Sequence, residues 1–240
     1  YTVGDDSTNA RTVTVSAAGT SATATSTTDA VTFNLGNLAY TGTVTGEASV
    51  ADILSLATGA DISGGTVTTV DALTLASGAS VTMTAAQHNA FTGAVTAAGT
   101  EQITLSTTGT VTAAAAVETY VAAAGASSIT LTAAGQNVTT DATGAGLIVT
   151  VDSGTLTSLT GTFSGEDGSR DGINLILSAA SIDISAAGTS LVNQIDIAAD
   201  ADAITMTRAQ NNFLGNITDG ADAIITLSDA GAATGDEEIG

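Results

Sequence analysis

Val-Thr-Met-Thr-Ala-Ala-Gln at residues 81–87 returns as Ile-Thr-Met-Thr-Arg-Ala-Gln at residues 204–210. In both stretches apolar residues alternate with threonine, which is typical of a half-buried strand. A threonine then precedes a short run suited to a helix, and its side-chain oxygen can cap the first helical turn. The sequence therefore predicts a strand followed by a capped helix in each half of the chain, with the helices at residues 85–91 and 208–213.

The similarity extends outward from these stretches along the whole chain. Further aligned blocks begin at Val13 and Ile129, at Thr41 and Thr160, at Asp61 and Asp183, and at Ile103 and Ile225. The offset between aligned positions stays between 116 and 123 residues, whereas chance similarity in so simple a sequence would drift in register. We therefore predict two tandem copies, residues 1–119 and 120–240. The phase of the chain ends predicts that both copies belong to a longer array.

Period-2 segments recur between these landmarks, as in Val31/Phe33/Leu35, Leu73/Leu75, Ile129/Leu131 and Ile195/Ile197. Gly, Asn, Asp and Ser separate the segments, and strong segments lie roughly 20 to 30 residues apart, as in a solenoid. This pattern predicts an all-β fold, a β-solenoid similar to a parallel β-helix with short helical excursions. The segment Ala113–Ala124 is a further helix candidate.

Tandem β-sandwich domains are the alternative fold, because a copy of roughly 120 residues has a suitable size for one sandwich. A sandwich core usually contains a Trp or several large aromatic residues. Aromatic residues make up 3% of this chain and Trp is absent, so the solenoid is favoured.

The charge of the chain excludes several classes of partner. Formal net charge is −21, with three basic residues against 24 acidic ones. Nucleic acid is excluded because the chain cannot neutralise phosphates, and no apolar run is long enough for membrane insertion. Cys is absent, so disulfides and thiolate metal sites are excluded as well.

Calcium is the metal that this acidity favours, since carboxylate oxygens at short spacing around glycine can hold Ca²⁺. The most polar stretch is residues 165–172, and two further acid pairs follow it. The alternatives are a solvated turn with an internal Arg170 ion pair for the first, and a charged surface that prevents edge-to-edge aggregation for the pairs. The candidate calcium ligands are Glu166, Asp167, Asp171, Asp200, Asp202, Asp219 and Asp222.

Catalysis is not predicted. His88 is the single histidine, so a Ser–His–Asp triad would have to use it, yet its counterpart in the second copy is Asn211 or a gap. Paired carboxylates could cleave polysaccharides, as in some β-helices, but such sites also use aromatic and basic residues to hold sugar, and both are scarce here. A polysaccharide-active enzyme is therefore a remote alternative.

Blocks at residues 81–87, 103–109, 117–121 and 129–139 resemble the repeats of giant bacterial surface and secreted proteins, related in style to RTX adhesins and S-layer proteins. The resemblance implies type I secretion, calcium-assisted folding outside the cell and a surface role. The RTX nonapeptide Gly-Gly-x-Gly-x-Asp is absent, so the calcium ligands of that family cannot be assigned to residues of this chain.

Two functions follow as expectations. The first is a structural module of an extracellular fibre, S-layer or giant adhesin, which self-associates or acts as a stalk. The second is an adhesin segment that binds a surface or glycan through Thr- and Asn-lined faces with the help of calcium.

Overall fold

The computed structural model of the chain describes residues 1–4, 10–25, 28–91, 93–123, 127–140, 148–165, 172–190, 192–197, 203–213, 217–219 and 224–229. Helices account for about 6% of the chain, and parallel strands stack as a β-solenoid of about nine turns. The predicted all-β solenoid is confirmed. Tandem sandwiches are excluded because the named strands pair in parallel, turn upon turn.

The chain forms two compact units. Unit 1 comprises Tyr1–Thr107 and Ala116–Thr119, and unit 2 comprises Thr108–Ala115 and Tyr120–Gly240. The elements of unit 1 are β1 (Thr2–Gly4), β2 (Arg11–Thr14), β3 (Ala22–Thr25), β4 (Val31–Gly36), β5 (Thr43–Thr45), β6 (Ile53–Leu56), β7 (Thr66–Thr68), β8 (Ala72–Leu75), β9 (Ser80–Met83), α1 (Ala85–Ala90), β10 (Val95–Thr96) and β11 (Gln102–Leu105).

Unit 2 contains the remaining elements, although the first residue of its second strand, Thr119, belongs to unit 1. These elements are β12 (Thr110–Thr112), β13 (Thr119–Ala122), β14 (Ser127–Thr130), β15 (Asn137–Thr140), β16 (Ile148–Asp152), β17 (Thr162–Ser164), β18 (Gly172–Leu177), β19 (Ser181–Asp183), β20 (Gly188–Ser190), β21 (Val192–Ile197), β22 (Ala203–Met206), α2 (Arg208–Phe213), β23 (Ile217–Asp219) and β24 (Ile224–Leu227).

Each unit has three faces that the chain visits in turn. In unit 1, face 1 has the strand order β1-β3-β5-β7, face 2 has β10-β8-β6-β4-β2, and face 3 contains β9 and β11. Single parallel bridges extend face 3 through Ala39, Asp61 and Thr82. In unit 2, face 1 contains β13, β15, β17 and β20, face 2 has β12-β14-β16-β18-β21-β23, and face 3 has β19-β22-β24.

One turn of the solenoid takes between 18 residues, from Val111 to Ile129, and 26 residues, from Phe163 to Thr189. Equivalent residues of successive turns therefore stack in columns. Phe33, Leu54 and Leu73 form one such column on face 2 of unit 1, and all three are fully buried. Neighbouring residues in these strands are half-buried, so the predicted alternation is confirmed.

The two predicted helices are confirmed. Helix α1 begins after the N-cap Thr84 and packs on β7, where the next strand of face 1 would otherwise lie. Helix α2 begins at Arg208 in unit 2. Each helix therefore follows a strand of face 3, β9 or β22, as the repeated stretch predicts.

The helix predicted over Ala113–Ala124 is wrong, because Thr119–Ala122 is strand β13. Tyr120 and Ala122 point inward and are fully buried, while Thr119 and Val121 are half-buried. The Thr119 amide donates to the carbonyl of Glu101, so a ladder with the preceding turn replaces helical hydrogen bonds. β-branched residues favour that outcome, and the local alanine content does not prevent it.

In successive turns of the solenoid in unit 1, a glycine with a positive φ angle lies where the chain passes from face 2 to face 3. Gly36, Gly59 and Gly78 have φ angles of 56°, 88° and 69°. Ala60 and Ala79 close tight turns by donating to Ala57 and Ala76. A turn with positive φ at its third residue strongly favours glycine there, and the sequence provides Ala-Thr-Gly and Ala-Ser-Gly at these two positions.

Aligned blocks of the two copies form the same structures, which confirms the tandem-repeat character of the chain. The strand pair β9 and β11 has its counterpart in β22 and β24. The bridge between Asp61 and Thr82 corresponds to the pairing of Asp183 with Thr205. The copy boundary between residues 119 and 120 stays a prediction.

Candidate functional site

The acidic residues predicted to bind calcium fall almost entirely outside the described residues. Asp219 is the last residue of β23, in register with Ile197. The other six candidates, Glu166, Asp167, Asp171, Asp200, Asp202 and Asp222, lie outside the described ranges. Within those ranges, no three His, Asp or Glu side chains lie together in a way that could hold a metal ion. The calcium site therefore stays a prediction.

His88 lies in α1 and is 6% exposed. Burial lowers the pKa of its imidazole, and a hydrogen bond with Asn89 opposes that effect. The neutral imidazole is thus the favoured form at neutral pH, packed against the interior of unit 1. This position agrees with the alignment, in which Asn211 replaces His88 without loss of the helix.

Asp52 is a fully buried carboxylate that sequence reasoning missed. Its Oδ1 accepts from the Val31 amide at 2.6 Å and its Oδ2 accepts from the Glu47 amide at 2.6 Å. Val31 lies one turn earlier in the solenoid, so the carboxylate ties two turns together. Gly46 is required beside it, because a Cβ there would lie 2.7 Å from Oδ2 and would overlap the Thr69 carbonyl oxygen.

Glu101 is the second fully buried carboxylate of unit 1. Its Oε1 accepts from the Gly78 amide at 3.0 Å and from the Ala98 amide at 3.2 Å, which belong to stacked turns. Its own amide donates to Oε2 of Glu118 at 2.8 Å. Oε2 of Glu101 is buried without a hydrogen-bond partner among the described residues.

A signal for both carboxylates was present in the sequence. Asp52 has the same parity as Leu54 and Leu56 in β6, and Glu101 has the same parity as Ile103 and Leu105 in β11. Each acid therefore points inward with the core residues that follow it. An inward acid must meet hydrogen-bond donors, and at the turns of a solenoid those donors are backbone amides.

Two buried glutamines hold the helices in equivalent ways. Nε2 of Gln87 donates to the carbonyls of Ile62 and Gly65 at 2.6 Å and 2.9 Å, and its Oε1 accepts from the Thr84 amide. The amide group of Gln210 donates in the same way to Ile184 and Ala187, at 2.7 Å and 2.8 Å. We call this arrangement the glutamine clamp. It joins the helix to the preceding turn, so both residues are structural.

Outward positions of face 1 in unit 1 form a regular array of hydroxyl groups. Successive strands align their threonines in two columns, which we call the hydroxyl face: Thr2, Thr23, Thr45 and Thr68 in the first, and Thr43 and Thr66 in the second. Oγ1 of Thr68 donates to Oγ1 of Thr45 at 3.3 Å. Such a face can donate and accept hydrogen bonds at regular intervals.

Comparison of the chain with protein-family models, with curated proteins and with solved structures finds no match. The resemblance to RTX adhesins and S-layer proteins is therefore still an expectation from sequence. None of the helices in the described part of the chain is long and apolar enough to span a bilayer.

Proposed function

We propose that the chain is a structural repeat module of an extracellular fibre, S-layer or giant adhesin. The observation that carries this proposal is the way its turns are joined. Parallel ladders link each turn to the next, and buried side chains such as Asp52 and Gln87 add hydrogen bonds between turns. In such a quasi-one-dimensional fold each turn contacts its neighbours, and length increases with copy number.

The charge of the chain suits the extended role that we propose. A net charge of −21 keeps long molecules soluble and apart, and it attracts divalent cations. In this proposal the partner is a second copy of the module, in a fibre or a lattice, and calcium assists folding or association.

Negative-stain electron microscopy of the purified chain, with and without millimolar Ca²⁺, tests the proposal. Ordered fibres or sheets would support self-association, and their loss in chelator would make calcium part of it. Dispersed particles under both conditions would contradict self-association and leave a passive stalk or a binding segment.

Calcium binding has a test of its own, thermal unfolding in Ca²⁺ and in chelator. If the predicted acids bind the ion, Ca²⁺ raises the midpoint, since a ligand that binds the folded state stabilises it. Asn replacements at Asp200 and Asp202 should lower that rise, since five other candidate ligands remain, whereas Asp61→Asn, which removes a carboxylate of unit 1 that is not a candidate ligand, should leave it unchanged. An unchanged midpoint in the wild type would remove calcium from the proposal.

A surface-binding adhesin segment is the second candidate function. The hydroxyl face favours it, because a regular array of donors and acceptors is suited to a repetitive ligand. Pull-down on insoluble glycans and whole cells tests this candidate.

A further inference from the structure

The hydroxyl face is ordered in two dimensions. Neighbouring strands lie about 4.8 Å apart, and alternate residues of one strand lie about 6.7 Å apart. β-branched threonine is stiff at χ1, so its hydroxyl and methyl groups keep a fixed orientation. The hydrogen bond between Thr68 and Thr45 links the hydroxyl groups of two successive turns. The array is therefore formed before any ligand arrives.

The face is electrically neutral in a strongly acidic chain. All outward positions of β1, β3, β5 and β7 are Thr or Gly, although the chain contains 24 acidic residues. A neutral surface gives no attraction to ionic minerals or charged polymers. These outward positions also hold no aromatic residue on which a sugar ring could stack. The fitting ligand is neutral, repetitive and rich in hydrogen-bonding groups.

The fold does not require this array. In unit 2 the corresponding sheet has outward threonines and serines too, but Val121, Asn137 and Gly188 interrupt them. Asn137 also accepts from the Thr162 amide through Oδ1, so its side chain is used within the sheet. Unbroken threonine columns are thus a property of the unit 1 face, whereas outward hydroxyl groups occur in both units.

A second copy of the chain is a poor occupant because the face is small. The four strands have outward residues in three columns, the two of the hydroxyl face and a third with Gly4 and Thr25, and cover about 15 Å by about 13 Å, or on the order of 200 Å². A stable protein interface buries about 800 Å² on each partner. A crystalline surface has no such requirement, because an array of modules could present many copies of the face at once.

We propose that the hydroxyl face of unit 1 binds the surface of ice. A threonine hydroxyl both donates and accepts, as each water molecule in ice does, so it can take the place of a lattice water. The spacing between strands is close to the shortest repeat of hexagonal ice, so successive hydroxyl groups meet equivalent lattice positions. This activity goes beyond the proposed structural role, and only the gain from many copies of the face rests on that role.

Partition of the purified chain into slowly growing ice tests the proposal. We expect the wild type to be incorporated, whereas an inert acidic protein of similar size is excluded. Thr45→Lys places a long charged side chain at the centre of the face and should lower incorporation about tenfold. Thr23→Lys, in the same column, provides a second variant should one fold poorly.

Thr74→Lys is the matched control. Thr74 is also a half-buried outward threonine, but it lies in β8 on face 2. This variant should enter ice as the wild type does, and circular dichroism should show all variants folded. Exclusion of the wild type from ice, or equal incorporation of the Thr45 and Thr74 variants, would overturn the proposal.

Two further measurements identify other occupants. Binding to microcrystalline cellulose that Thr45→Lys abolishes, together with exclusion from ice, would assign the face to a polysaccharide. A dimer in sedimentation that the same variant dissociates would assign it to a second copy. Either result would also overturn the assignment to ice.

Discussion

Unit 1 and unit 2 share an architecture but satisfy their buried backbone donors with different chemistry. The glutamine clamp is the same in both, through Gln87 and Gln210. Elsewhere unit 1 uses the carboxylate of Asp52, whereas unit 2 uses neutral groups such as Gln136, which accepts from Thr132 and Ala133. Turns of the solenoid therefore require a hydrogen-bond acceptor, but either a carboxylate or a neutral group can provide it.

The largest expected effect comes from Asp52→Ala. The substitution removes the acceptor of the buried Val31 amide and of the partly buried Glu47 amide, which should cost about 3 kcal/mol. Hydrogen exchange at Val31 measures the loss locally, which suits a solenoid that unfolds in parts. Ser153→Ala is the matched change in unit 2, because Ser153 Oγ accepts from the Ser178 amide. Loss of that one bond should lower the free energy of unfolding by about 1 kcal/mol. Equal losses of stability in the two variants would show that the carboxylate of Asp52 stabilises its turn no more than the hydroxyl of Ser153 does.

Gln87→Ala and Gln210→Ala test the glutamine clamp, which both units have. Each removes two donors to buried carbonyls and one acceptor at the helix N-terminus, so each should cost about 2 kcal/mol in its own unit. Peptide-level hydrogen exchange around α1 and α2 gives the two values. A large effect in one unit and none in the other would show that the clamps are not equivalent.

Left-handed glycines differ between the units in a way that substitution can measure. Gly78→Ala meets no atom within 4 Å, so its cost of about 1 kcal/mol comes from the positive φ alone. Gly154→Ala, at φ 58°, also brings a Cβ to 3.0 Å from the Leu131 carbonyl oxygen and should cost more. Chemical denaturation of both variants ranks them, and the reverse order would contradict the role of that contact.

The smallest expected effect concerns pH. Burial lowers the pKa of His88 in the folded state, so the unfolded state binds the proton more readily. Stability linked to His88 is therefore complete above the unfolded pKa of about 6.5 and falls as pH drops below it. His88→Asn introduces the residue that unit 2 has at Asn211. In this variant the thermal unfolding midpoint should decrease less than in the wild type when the pH is lowered from about 7.5 to about 5.5. An identical loss in both proteins would rule out this linkage.

Local patterns in the sequence predicted much of each unit. Alternation identified strands such as β4 and β8, and Thr84 marked the start of α1. These features depend on residues within a few positions of one another. The helix predicted over Ala113–Ala124 was wrong because a partner one turn away, the Glu101 carbonyl, determined the structure of β13.

The candidate sites were harder to predict than the strands. Their position in the strand alternation indicates that Asp52 and Glu101 point inward. The backbone amides that donate to them lie up to 23 residues away in sequence, so local order does not identify them. The seven candidate calcium ligands rest on composition and spacing, and their prediction stands untested. The hydroxyl face could be recognised only after the register placed Thr23, Thr45 and Thr68 in one column.

Local residue order and composition are sufficient to predict the repeat, the strand periodicity, the helix caps and the strong negative charge. The donors that Asp52 satisfies, the position of β13 and the threonines that share a face follow only from the folded chain. Those outcomes depend on the stacking of residues one turn apart, and turn lengths that vary from 18 to 26 residues set that register. A change of one residue in a turn would reverse the inward and outward positions of a strand.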